Sequence, residues 1–332
     1  MNFKINKKTL LYDSKPFIIA EIGSNFNQNK SLALQMIDQA SKCGADAVKF
    51  QLFKAENLYS KSNPLYKIFK KIELNSLWLK DLSSYAKSKK IIFLASAFDI
   101  ESVDNLEKIN IAAYKIASSE ITNHELLRYI AAKNKPIIIS TGMADNIDIQ
   151  YAIDICEYSN NSNIALLQCS ALYPCSLKDA NLNVISQLKN RFNKIVGFSD
   201  HTLDYLAASV AVGIGATIFE KHFTLNKKSE GPDHFYALEP KELKEYIKII
   251  KSAYIAKGSH NKSFLDPERM VGRREGLYAS QNLKKNDILK NNDFYLARPA
   301  IGIDSKFSNS VINSKVKTNI KKNQPIKWKF IA

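Results

Sequence analysis

Eight short apolar, β-branched runs recur along the chain, each followed by an amphipathic stretch. They are FIIAEIG (17–23), AVKFQ (47–51), IIFLASAF (91–98), AAYKIAS (112–118), PIIIST (136–141), IALLQC (164–169), KIVGFSD (194–200) and ATIFEKHF (216–223). Short apolar runs bounded by turn residues predict buried parallel strands. Between them, segments such as SLALQMIDQASKCG, NHELLRYIAAK and LDYLAASVAVGIG carry helical spacing, and EPKELKEYIKIIKSAYIA predicts an eighth helix. Asn123 and Asn181 stand where N-caps belong, and Gly44 and Gly215 stand near helix ends. Eight βα units over roughly 250 residues predict an α/β fold of the (β/α)₈ TIM-barrel type. A doubly wound open sheet would bring a phosphate-binding glycine fingerprint after its first strand. Here that strand runs into GSNFNQ, with neither GxGxxG nor a P-loop pattern.

The barrel is expected to span 1–258. The periodicity then breaks, and 259–275 reads as a linker. Short strand-like pieces with turn signals follow over 276–332, which predicts a small all-β domain. So short a domain is expected to lack a large core and to lean on another surface.

Composition narrows the function classes. With 45% apolar and 24% charged residues, the 332-residue chain holds a sizeable core and is not a disordered one. No stretch of 18 apolar residues occurs, so no membrane partner is expected. The start, MNFKINKKTLLYDSKPF, lacks the apolar region of a signal peptide, so a cytoplasmic location is expected. The net charge of +16 raises nucleic-acid binding. Arginine is scarce, however, and the lysines are scattered along helix faces without a basic stripe, so no nucleic-acid partner is expected. A positive field does suit a small, strongly anionic substrate. Cys43, Cys156, Cys169 and Cys175 form no CxxC pair and match no zinc framework, which leaves free thiols, with Cys169 read as packed.

Active sites of barrels lie at the C-terminal ends of the strands. Those ends are polar here. Glu21 ends the first strand; Lys49 and Gln51 share one side of the second; Ser96 ends the third. Lys115, Ser118 and Glu120 follow the fourth, Ser140 ends the fifth, and Gln168 and Ser170 the sixth. Ser199, Asp200 and His201 end the seventh, and Glu220 and His222 share one face of the eighth. Polar groups are costly to desolvate unless something uses them. Two lysines with several hydroxyls suit a phosphorylated ligand. Two histidines on neighbouring strands suit a divalent metal with open positions. Glu21, Glu120 and Asp233 suit binding hydroxyls or moving protons. Pattern alone stops at a barrel enzyme for an anion plus a polar co-substrate, metal-assisted.

At these residues the chain resembles the sialic acid synthase family, whose members make N-acetylneuraminic, legionaminic or pseudaminic acids. The matching stretches are FIIAEIG, GADAVKFQ, YKIASSEITN, KPIIISTGM, VGFSDHT, EKHFT and GPDH. The tail LKKNDILKNNDFYLARPAIGI resembles the family's C-terminal antifreeze-protein-like (SAF, β-clip) domain. The resemblance implies condensation of phosphoenolpyruvate with N-acetylmannosamine, or with the diamino hexoses that lead to legionaminic or pseudaminic acid. An octulosonate-type synthase is the nearest rival. His201 and His222 would hold a divalent ion, Mn²⁺ ahead of Mg²⁺ or Co²⁺, and form the catalytic set with Glu21. Lys49, Ser96, Lys115, Ser118, Ser140 and Ser199 would hold phosphoenolpyruvate. Glu21, Gln51, Glu120, Tyr173 and Asp233 would face the sugar. Arg298 would reach the sugar of a partner subunit in a domain-swapped homodimer. Three departures stand out: Phe26 and Gln28 replace the histidine and glycine of the family's NHNG, Ala171 replaces a polar residue, and STPF becomes Ala95-Ser96-Ala97-Phe98. Phe26 and Ala171 are expected to alter the sugar pocket.

Overall fold

The computed structural model describes every residue but Met1, His260 and Val271; of Arg269 and Met270 it describes the backbone. The chain divides into two compact units, Met1–Gly258 and Ser259–Ala332.

The first unit begins with a hairpin, β1 (Phe3–Ile5) paired antiparallel with β2 (Lys8–Leu10). Eight strands then close a parallel barrel: β3 (Phe17–Gly23), β4 (Ala47–Leu52), β5 (Ile92–Ala97), β6 (Tyr114–Ile116), β7 (Ile137–Ser140), β8 (Ile164–Cys169), β9 (Ile195–Asp200) and β10 (Ile218–His222). Neighbours in sequence are neighbours in the sheet, and β10 returns to β3. A helix follows every strand, from Lys30–Cys43 after β3 to Pro240–Lys257 after β10. Each of the eight apolar runs coincides with one of these strands; β4 runs one residue past AVKFQ to Leu52, and AAYKIAS shortens most, to Tyr114–Ile116.

Helix ends follow local chemistry. Asn123 caps its helix by accepting from Leu126 N, and Gly44 (φ 92°) and Gly215 (φ 110°) end theirs in the left-handed region. Asn181 is a correction. It takes a left-handed turn (φ 44°) ahead of Val184–Phe192, whose cap position is Asn183. Asparagine tolerates that backbone, so it serves the turn and not the cap.

The barrel interior is graded from end to end. Phe17, Ile19, Ala47, Leu94, Ala113, Ile138, Ala165, Leu167, Ile195 and Ile218 form one apolar cluster with Phe3, Ile5 and Leu10 of the hairpin. The hairpin thus closes the N-terminal end of the barrel. Two residues further along the strands, the same inward alternation reaches Glu21, Lys49, Ser96, Lys115, Ser140, Ser199 and Glu220. Gly197 is required inside the barrel: a Cβ there would sit 2.2 Å from the Ile218 carbonyl oxygen. The outward faces of the strands pack on the helices in a second, larger apolar cluster.

The second unit holds a short helix (Asp266–Met270) and the antiparallel pair β11 (Gly276–Ala279) and β12 (Phe294–Ala297). Isolated bridges and 3₁₀ turns supply the rest. Leu277, Leu283, Leu289, Phe294, Ile303, Ile320 and Ile326 bury one another in it, so the small domain does have an apolar core of its own. Arg274 and Glu275, at the end of the expected linker, are already tied in: Arg274 Nε lies 3.3 Å from Asp304 Oδ2, and Ser305 N donates to the Glu275 carbonyl. Among the described residues, no helix is long and apolar enough to cross a membrane.

Candidate active site

Strand register brings the charged groups together at the C-terminal mouth of the barrel. Glu21 on β3 is directly opposite Lys49 on β4, and Ser96 on β5 is opposite Lys115 on β6. Lys49 Nζ lies 2.8 Å from Glu21 Oε2 and donates to Ser96 Oγ at 3.1 Å. Gln51, two residues on, donates to Glu21 Oε1 at 3.0 Å. Lys115 Nζ donates to Ser140 Oγ at 2.6 Å. Both lysines are only 3% exposed, a burial that ammonium groups tolerate when paired.

Glu220 on β10 links them. Its Oε1 is 3.7 Å from both Lys49 Nζ and Lys115 Nζ and accepts from Ser199 Oγ at 3.1 Å. Alternation puts Glu220 on the face of His222, but its role depends on partners from three other strands, which no single run of sequence displays. Burial pushes Glu21 up to about 7, against the pull of Lys49 and with the help of Glu220. Burial acts the same way on Glu220, but Lys115, Lys49 and the two histidines outweigh it and hold that carboxylate down. Burial also lowers Lys115, whereas at Lys49 it is outweighed by Glu21 and Glu220, which raise it.

His201 and His222 face each other with ring centroids 5.6 Å apart. His201 Nδ1 lies 2.7 Å from the Ser170 carbonyl, which can only accept, so Nδ1 carries the proton. The lone pair on Nε2 then points to the mouth, where Ser199 Oγ, 3.5 Å away, already donates to Glu220. His222 Nδ1 is buried without a hydrogen-bond partner, and Asp233 Oδ2 is 3.9 Å from it. Burial lowers His222, which favours the neutral, ligating form. Two facing imidazoles, with His222 Nδ1 left without a hydrogen-bond partner, fit a divalent cation. Among the described residues, no group of three or more His, Cys, Asp or Glu gathers there, so remaining positions would fall to water and substrate oxygens.

Beside His222 lies a cavity of about 240 Å³ lined by Gln51, His222 and Asp233 together with the apolar Ile68, Ile72 and Phe235. Tyr173 packs against His201, with ring centroids 4.2 Å apart and planes tilted by 35°. Tyr236, which the sequence reading did not single out, donates to Asp233 Oδ1 at 2.7 Å and so aims that carboxylate.

The NeuB family profile matches residues 36–262, well over half of the chain. The chain belongs to the NeuB family. A SAF domain matches residues 274–332. The chain is 36% identical over 335 residues to an N,N'-diacetyllegionaminic acid synthase of Legionella pneumophila, covering 95% of this chain and 94% of that one. It is 39% identical over 309 residues to a synthase of the same name from Campylobacter jejuni, covering 88% and 92%. The solved N-acetylneuraminic acid (sialic acid) synthetase of Leptospira borgpetersenii superposes with a TM-score of 0.78 at 30% identity, over 82% of this chain and 95% of that one.

For a NeuB family member, the expectation for Phe26 needs adjusting. Phe26 is fully buried and packs against Phe50 and Trp78, with centroids 5.8 and 6.4 Å away. It belongs to the core behind β3 and not to the sugar cavity; its neighbours in sequence, Asn25 and Asn27, carry the polar contacts. Glu120 sits in the 3₁₀ turn Ser118–Glu120, where its carboxylate accepts from Asn123 Nδ2, a local contact. Cys169 is buried, as expected, and it borders the site. It points inward, 3.9 Å from His201 Nδ1, and accepts from Ser118 Oγ at 3.6 Å. Ser118 also accepts from Gly142 N, which holds its hydroxyl in the loop after β6. Arg298 lies in the second unit, exposed, with Nε 3.9 Å from Glu275 Oε1.

Proposed function

We propose that this chain condenses phosphoenolpyruvate with the open-chain aldehyde of an acetamido hexose, giving a nine-carbon keto acid and phosphate. The observation that carries the reading is the pair of buried lysines, Lys49 and Lys115, set among hydroxyls at the mouth of a closed barrel. Two buried ammonium groups share one carboxylate that is held ionised, Glu220, while Glu21 is raised to about 7, and that balance suits an anionic ligand. The family and the relatives' names support the reaction class, and the SAF domain favours it over an octulosonate-type synthase. The identities to diacetyllegionaminic acid synthases put a diacetamido hexose ahead of N-acetylmannosamine.

In the reaction C3 of phosphoenolpyruvate attacks the aldehyde carbon, whose oxygen takes a proton. Water adds at C2, and phosphate leaves with cleavage of the C2–O bond. Lys49, Lys115, Ser96, Ser118, Ser140 and Ser199 hold the phosphate and carboxylate groups. Glu21, raised to about 7 by burial and linked to the sugar side through Gln51, can give or take a proton near neutral pH. Tyr173, Asp233 and Glu120 orient the sugar, with Arg298 contributed across a homodimer. His201 and His222 would hold a divalent ion, Mn²⁺ first, which would supply Lewis acidity toward the aldehyde oxygen. A cytoplasmic location goes with phosphoenolpyruvate as co-substrate.

Lys115→Met tests the reading. Loss of one charge-assisted contact is expected to raise the KM for phosphoenolpyruvate by about 10- to 100-fold and leave the KM for the sugar within a few-fold. An unchanged KM for phosphoenolpyruvate would overturn the assignment of the anion site.

A further inference from the structure

Behind the two histidines, on the outer face of the same strands, lies a second buried charge cluster. Asp200 and Lys221 alternate with the inward-facing residues of β9 and β10, so they point away from the mouth and toward the helix Pro240–Lys257. Their side chains are 0% and 1% exposed, and Lys221 Nζ is 3.1 Å from Asp200 Oδ2. Every acceptor in the cluster is used. Asp200 Oδ1 accepts from Thr202 N at 2.9 Å and Thr202 Oγ1 at 2.7 Å, and Oδ2 accepts from Tyr246 OH at 3.0 Å. Lys221 Nζ also donates to the Thr202 carbonyl and lies 5.4 Å from the Tyr246 ring centroid.

The place of this cluster in the ladder gives it a function. Asp200 and Lys221 are the last registered pair between β9 and β10, and His201 and His222 are the next residues along each strand. His201 is held by its carbonyl to Cys175 N and by Nδ1 to Ser170, both on the β8 side. The tie toward β10 runs through the Lys221 ammonium, which grips Thr202, the residue just beyond His201. A buried ion pair is seldom the most stable filling for such a space, and apolar residues often serve as well. What it supplies here is a fixed distance and orientation between two adjacent strand ends.

We infer that Asp200 and Lys221 are positioning residues that set the spacing of His201 and His222 for a shared divalent cation. They touch neither substrate nor reacting atoms. The inference rests on the metal reading of the histidine pair, and its test separates the two.

The test is Mn²⁺ titration into the metal-free full-length chain without substrates, with free Mn²⁺ followed by electron paramagnetic resonance. Wild type is expected to bind. Lys221→Met is expected to weaken Mn²⁺ by roughly 10- to 100-fold, as for other changes behind metal ligands. The double variant Asp200→Asn/Lys221→Met leaves no unpaired charge, and the amide oxygen of the new side chain keeps both Thr202 bonds. It is expected to retain the wild-type unfolding midpoint within a few degrees and still bind weakly, a split that a merely structural role would not give. Should either folded variant bind Mn²⁺ within about twofold of wild type, the positioning role is wrong. Failure of wild type itself to bind would remove the metal site and this inference with it.

Discussion

Glu21 and Glu220 are chemically the same group, yet the mouth of the barrel treats them oppositely. Both are fully buried, but Glu220 lies between two ammonium groups and is held down, while Glu21 has one ammonium and a neighbouring carboxylate and rises from its ordinary value near 4.5 to about 7. The folded chain therefore binds the Glu21 proton more tightly than the unfolded chain does. The resulting stabilisation is complete below about pH 4.5 and is lost as pH rises through 7. Relative to Glu21→Gln, the metal-free wild type is expected to lose on the order of 2 kcal/mol of unfolding free energy across that window. Urea unfolding of both proteins between pH 4.5 and 7.5 measures it; parallel curves would refute the assignment. Much at this scale was legible, because period-two alternation alone puts Glu21, Lys49, Lys115, Ser199 and Glu220 on the inner face. What each one touches depends on register between strands far apart in sequence, which is why Glu220 had no assigned role. Phe26 misled for a related reason: its motif is polar, but its burial is decided by Phe50 and Trp78, which lie elsewhere in the chain.

At the scale of elements, the eight strands were readable because both of their faces are buried and their composition says so. The hairpin Phe3–Leu10 was not read, although FKI and KTL alternate around Asn6, whose positive φ of 50° makes the turn. Six residues of strand are a weak signal until the open end of a barrel is known to need a plug. Phe3 is fully buried in that plug. Phe3→Ala is expected to cost about 3–5 kcal/mol in thermal or urea unfolding. Because it lies at the end of the barrel opposite the mouth, kcat of the folded fraction is expected to stay within twofold of wild type. A large change in kcat at unchanged stability would contradict the division of the interior into a structural and a chemical end.

For the whole molecule, length and periodicity separated a barrel from a small β-rich tail, and the chain divides after Gly258. The tail's core was not foreseen, since its apolar residues are spaced by turns and bridges and not by a regular period. Arg298→Ala tests the proposed role of that tail: the KM for the sugar is expected to rise about tenfold or more while that for phosphoenolpyruvate stays put. Equal effects on both substrates would argue against a sugar contact. The central claim is the condensation itself. Phosphate release from phosphoenolpyruvate, measured with Mn²⁺ and a panel of N-acetylmannosamine and the diacetamido hexoses, tests it most directly. Release with at least one of these sugars, abolished by chelation and restored by added Mn²⁺, is the expected result. No release with any of them, from a folded and metal-loaded protein, would contradict it.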